Sequence, residues 1–177
     1  FGRGSTCMVC SVNSSATKFV QTDVTEVQQG DFIRVAGGGA AEVVAVVTIV
    51  EPAEATLCEL PSGLRITARH PVRTNGQWQM PTAVPDARIV HNSSGFVTNF
   101  ILRGEDGGVH DHGHVLLVDG VECASWGHGL KGDGIAHQFW GSERVIKALV
   151  NCGADAGRIV VRGCVRDGSG EVVGFVA

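Results

Sequence analysis

Short apolar runs rich in Val and Ile, each closed by Gly, Asn, Asp or Pro, recur along most of the chain. This punctuation limits the fold more than any other feature. Runs of four to ten residues with branched side chains suit a pleated surface and are too short for most helices. Phe32 to Val35 predicts a strand closed by Gly37-Gly38-Gly39, and Ala41 to Val50 predicts the longest strand, stopped by Glu51-Pro52. Thr56 to Leu60 and Leu64 to Thr67 flank a turn at Pro61-Ser62-Gly63. Phe96 to Leu102 and Val115 to Val118 flank a polar insert, Arg103 to His114, and Asp119-Gly120 is a hairpin signal leading into Val121-Glu122-Cys123. One helix is expected, capped by Ser142 and running from Glu143 to Val150, with Val145, Ile146, Leu149 and Val150 on one face and Asn151 or Gly153 at its end. Arg158 to Val161 and Val172 to Val176 predict a last hairpin around Asp167-Gly168-Ser169-Gly170. The expected class is all-β, and the pattern shifts near Trp126 from dense strands to Gly- and His-rich turns and the helix.

Composition removes several functions. At 177 residues and 44% hydrophobic, the chain can bury a core as one domain without staples. A net charge of −4 argues against nucleic acid or an anionic membrane as partner. No apolar run approaches the ~20 residues that span a bilayer. No signal-peptide pattern opens the chain and residue 1 is Phe, which reads as a piece of a larger protein. A reducing, cytoplasmic setting is the expectation. Cys58, Cys123 and Cys164 lie in apolar stretches and read as buried reduced thiols. Cys7-Met8-Val9-Cys10 has CxxC spacing, but a zinc site needs a second ligand pair and a redox motif needs a following helix. Asn13-Ser14-Ser15 and Asn92-Ser93-Ser94 match the glycosylation pattern and read as chance matches.

Chemistry-bearing residues fall in an ordered series of blocks. Cys7 stands near the start. Val24-Thr25-Glu26-Val27-Gln28-Gln29-Gly30-Asp31-Phe32-Ile33 has the form V-x-x-V-x-x-G-D-x-hydrophobic, and Thr67-Ala68-Arg69-His70 is a T-x-x-H element at a strand end. Val97-Thr98-Asn99-Phe100-Ile101-Leu102 is followed by His114-Val115-Leu116-Leu117-Val118-Asp119-Gly120-Val121. Together these blocks resemble the hedgehog/intein (Hint) family. The continuation Trp126-Gly127-His128-Gly129, Ala136-His137-Gln138-Phe139-Trp140-Gly141 and Val145-Ile146 resembles its Vint subgroup. The resemblance implies a horseshoe-shaped β fold, with residues 1–6 an upstream tail, 7–125 the β core and 126–177 a helix and hairpin extension.

It also implies autoprocessing. Attack by the Cys7 sulfur on the Thr6 carbonyl would replace an amide by a thioester, an N-to-S acyl shift. His70 would protonate the departing nitrogen, Thr67 would orient the scissile amide, and His114 could assist. Water, a thiol or another external nucleophile would then release the chain's own upstream segment. Cys10 is the alternative nucleophile. Asn99 stands where inteins often carry Asp. The residues after Asp119-Gly120 lack the His-Asn pair that ends splicing inteins, so full splicing is not expected. No cofactor or metal is expected. Two other functions stay open: a Hint-shaped binding or spacer module without catalysis, and a metal hydrolase using His110, Asp111, His112 and His114. His128 and His137 read as turn or core histidines, and Trp78, Trp126 and Trp140 as core.

Overall fold

A computed structural model describes residues 1–10, 18–50, 55–103, 115–132 and 135–177. The expected chain punctuation becomes fifteen strands and one helix among these residues. The strands are β1 (Thr6–Cys10), β2 (Val20–Asp23), β3 (Phe32–Arg34), β4 (Ala40–Val50), β5 (Thr56–Glu59), β6 (Arg65–Ile66), β7 (Val72–Thr74) and β8 (Gln77–Gln79). They continue as β9 (Arg88–His91), β10 (Phe96–Leu102), β11 (Val115–Val118) and β12 (Val121–Ala124). After helix α1 (Glu143–Asn151) come β13 (Arg158–Val161), β14 (Gly163–Arg166) and β15 (Val172–Val176). The protein is therefore mostly strand, an all-β fold with a small C-terminal helix.

The main sheet runs in the order β10-β4-β3-β1-β11-β12-β7-β8, with β2 beside β1 and β13 beside β4. β5 pairs with β6 and β9 in a second sheet, and β14 with β15 in a third. Asp119 and Gly120 both adopt positive φ, 48° and 74°, in the two-residue turn between β11 and β12. Two consecutive positive-φ residues match the right-handed twist of the flanking strands, which is why the sequence carries Asp-Gly there.

The nine apolar positions of β4 run almost without interruption because both faces of the strand are used. β4 and β10 change register between Ile101 and Leu102, which pair with Ala45 and Val43 and leave Val44 as an extra residue. A bulge of this kind reverses which side chains face which side of the sheet. Ala41, Val43 and Val46 enter one core with Phe100 and Leu102. Ala45 and Val47 enter a second core with Ile101, Trp126, Phe139, Ile146 and Leu149. β4 is thus buried on both faces, and residues after Trp126 form the second core rather than an appendage.

Three expectations change on folding. β13 does not form the last hairpin: it runs parallel to β4, and β14 takes the place opposite β15. Parallel neighbours need a long connection, here supplied by the chain from β5 through α1. Residues 1–6 are not a loose tail, since Phe1 is 2% exposed and Ser5 is fully buried. Val150 is 52% exposed, so the buried helix face is Val145, Ile146 and Leu149 only. Ser142 does cap the helix, accepting from the Arg144 amide, and Gly153 follows its end with φ 78°.

The helix offers a direct stability contrast. Leu149→Ala is expected to cost about 2–5 kcal/mol, whereas Val150→Ala should stay within about 0.5 kcal/mol. Urea denaturation of the two variants measures both, and equal losses would contradict the helix orientation.

Candidate functional site

The T-x-x-H element is a tight turn between β6 and β7. The His70 amide donates to the Thr67 carbonyl at 3.1 Å. β7 then pairs with β12 so that Val72 faces Cys123, and the Ala124 amide donates to the Pro71 carbonyl at 2.9 Å. This register carries the imidazole to the end of β12, where His70 Nε2 lies 2.6 Å from the Ala124 carbonyl oxygen. A carbonyl can only accept, so Nε2 holds the proton and Nδ1 carries the lone pair. Burial, with the Phe1 ammonium adding to it and the Ala124 bond opposing it, pushes the His70 pKa down to about 3. At neutral pH His70 is a neutral imidazole.

The chain start meets this imidazole. The Gly2 amide donates to the Arg65 carbonyl at 2.7 Å, and a Cβ on Gly2 would press on the buried Leu57 side chain. Ser5 Oγ accepts from the Arg65 amide at 2.9 Å and donates to its carbonyl at 3.2 Å. Phe1 is thereby fixed with its ring centroid 4.9 Å from that of His70, and its buried nitrogen donates to the Thr98 carbonyl at 2.8 Å.

A cavity of about 240 Å³ opens at this point, with Phe1, Thr67, His70, Asn99, Ser125 and Trp126 among its walls. Arg69, His128, Trp140, Cys164 and Arg166 also line it. Asn99 is buried and its Oδ1 accepts from the Phe100 amide at 2.8 Å. His128 closes its own turn through Nδ1, which accepts from the Leu130 amide at 2.9 Å. Burial, reinforced by His137, lowers the His128 pKa.

Of the four sequence-proposed catalytic residues, Thr67 and His70 come together here. Cys7 does not line the cavity. Its alternating strand position turns it into the core, between Thr22 of β2 and Val118 of β11, where it is 2% exposed. Burial, then the charges of Asp119, Asp23 and Asp31, push the Cys7 thiol up to about 12. At pH 7 only about one molecule in 100,000 would carry the thiolate that attacks. The proposed scissile bond is equally tied down. The Thr6 amide donates to Asp119 Oδ1 at 3.0 Å, and the Thr6 carbonyl accepts from the Asp119 amide at 2.8 Å. Cys10, the alternative, ends the same strand opposite Phe32 and also lies outside the cavity walls. His114 lies outside the described residues, as do His110, Asp111, His112 and Asn13-Ser14-Ser15.

The second block has a structural role. Gly30 takes φ 86°, its amide donates to the Val43 carbonyl, and Asp31 Oδ2 accepts from the Gln28 amide at 2.9 Å. Val24 and Val27 are fully buried. The block therefore shapes the entry into β3. The Vint family model, described as a Hint-domain, matches residues 5–174.

The chain belongs to the Hint-domain family.

No curated protein matches the chain. Hint domains are in general self-processing, intein- and hedgehog-like modules. In this Hint domain Cys58 and Cys123 are buried free thiols, and Cys164 is half-buried at the cavity wall. Sequence reasoning passed over Phe1 and Ser125, and it assigned Trp126 and His128 to core and turn. Their signal lay only in pairing: once Cys123 is opposite Val72, residues 124–126 must lie beside His70.

The low pKa of His70 has a measurable consequence. Between pH 6.5 and about 3 the unfolded chain holds a proton on this residue that the folded protein refuses. Stability therefore rises with pH across that window and is fully present above 6.5. The urea midpoint of the wild type should fall on acidification more steeply than that of His70→Gln. Parallel pH profiles would show that His70 titrates normally.

Proposed function

We propose that this Hint domain processes polypeptide joined to the nitrogen of Phe1, not the Thr6–Cys7 bond. The observation that carries this reading is the position of the Phe1 nitrogen. It is buried at the cavity that Thr67, His70 and Asn99 line, while Thr6 and Cys7 are locked in a strand between two neighbours. A residue bonded to that nitrogen would enter the cavity, and the peptide bond before it would lie among these groups.

The chemistry follows from the protonation states. A thiol on the residue bonded to Phe1 would give its proton to His70 Nδ1 as its sulfur attacks the preceding carbonyl carbon. The carbonyl electron pair moves to oxygen and returns as the carbon–nitrogen bond breaks. The imidazolium then delivers its proton to the departing nitrogen, leaving a thioester and a free amine. Water or an external thiol displaces the sulfur and releases the upstream segment. Thr67, one turn before His70, is placed to orient the amide. Because neutral imidazole is the resting form, His70 acts first as base and then as acid.

One observation favours the second reading, a Hint-shaped module without catalysis. The described thiol nearest the chain start, Cys7, is buried and protonated. A reporter protein followed by one Cys and then Phe1 separates the two. With hydroxylamine or dithiothreitol, mass spectrometry should find the reporter released at the bond before the added Cys. His70→Ala, or Ala in place of the added Cys, should lower release at least about 100-fold. Cys7→Ala should process within a few-fold of wild type. Release at Thr6–Cys7, or loss of release in a folded Cys7→Ala protein, would return the chemistry to Cys7. An intact reporter in every version would favour the silent module.

A further inference from the structure

Two residues that line the cavity each carry a buried polar atom without a partner among the described residues: Ser125 Oγ and Trp126 Nε1. Ser125 is 3% exposed and Trp126 is 7% exposed, and both line the cavity. Leaving a hydroxyl and an indole N–H unpaired in a protein interior is destabilising. Packing alone does not call for this arrangement. Ala would fill the Ser125 position without an orphaned hydroxyl, and Trp126 already packs on Trp140, with ring centroids 5.4 Å apart.

Their chain position gives them a direction. Ala124 holds the imidazole through its carbonyl, and the next two residues carry the unpaired donors. Across the cavity, Thr98 accepts from the Phe1 nitrogen and Asn99 lines the wall. The end of β12 thus holds the His70 imidazole through the Ala124 carbonyl and leads into two unpaired donors, while β10 holds the nitrogen side of the chain.

We propose that Ser125 Oγ–H and Trp126 Nε1–H bind the carbonyl oxygen of the peptide bond attacked in this site and hold its negative charge in the tetrahedral intermediate. The inference rests on the processing reading above and assigns donors that it does not need. Trp126 Nε1 can only donate, and a Ser hydroxyl can donate, so an oxygen gaining charge is the ligand that satisfies both. As the carbonyl carbon is attacked, its π electron pair moves onto that oxygen. Both bonds strengthen at that moment and weaken when the pair returns. Donors fixed by the sheet beforehand need no rearrangement during the step.

The test uses two readouts on the full chain. In the reporter–Cys–Phe1 protein, Ser125→Ala and Trp126→Phe should each slow release about 100-fold. Their Tm should hold or rise for Ser125→Ala, and the pH dependence set by His70 should remain. The second readout does not need turnover. A chain carrying Gly-Ala on the Phe1 nitrogen places an unreactive carbonyl at the same position. Relative to the chain starting at Phe1, the Trp126 indole N–H resonance, assigned through Trp126→Phe, should move downfield in a nitrogen–proton correlation spectrum. Wild-type release rates in both variants would overturn the donor assignment and leave the processing reading standing. A wild-type reporter protein that releases nothing would sink the processing reading instead. The indole signal then decides for Trp126 alone: a downfield move keeps it as a donor to that carbonyl, and an unmoved resonance overturns the assignment.

Discussion

The fixed burial of Phe1 is the constraint on which the site depends. An aromatic ring at a chain start would ordinarily fray, because a few residues cannot offset the entropy of ordering them. Here backbone bonds from Gly2 to Arg65 and from Phe1 to Thr98, with the paired bonds of Ser5 to Arg65, draw the first five residues into the gap between two sheets. The ring lies against His70, and its centroid is 6.4 Å from that of Phe100. The contacts come from two distant stretches, residues 65–70 and 98–100, so the position of the Phe1 nitrogen is set by long-range packing and not by its own segment.

The same reasoning explains why the residues after Trp126 are integral. The bulge at Val44 turns one stretch of β4 to each core, and β13 closes β4 from the outer edge. Trp126 sits at the junction: it belongs to the second core and also lines the cavity. Packing in the second core therefore positions a group in the site. A loosened helix α1 would reach the site through Trp126 and Trp140 even though no helix residue lines the cavity.

Much of this was legible in the sequence because much of it is local. Strand β10, the Asp119-Gly120 turn, the helix cap at Ser142 and the Thr67–His70 turn all depend on neighbours within a few residues, and each was read correctly. Cys7 shows where local reading stops. Cys7 and Val9 alternate inward along β1, and a strand pattern cannot say whether inward means core or cavity. That choice is made by β2, β3 and β11, which pack around β1. The β13 crossover is similar: Arg158 to Val161 is a strand by composition, and only the second core decides its parallel partner. The cavity gathers residues 1, 67–70, 99 and 124–126 through long-range register, which no single block encodes.

The electrostatics of the site favour a proton that arrives late and leaves early. Burial depresses the His70 pKa first, and the Phe1 ammonium depresses it further. A peptide bond at that nitrogen carries no charge, so a chain joined there removes the second contribution and makes the imidazole a stronger base. Desolvation persists, so any imidazolium formed during attack remains a strong acid and is driven to give its proton to the leaving nitrogen. The arrangement therefore suits a residue that borrows a proton within one reaction. It suits poorly a histidine that waits protonated at neutral pH. A buried thiol such as Cys7, whose pKa is near 12, cannot lend that proton to a base this weak across a filled strand. The proton has to come from a nucleophile inside the cavity, which is where the nitrogen of Phe1 directs the chain.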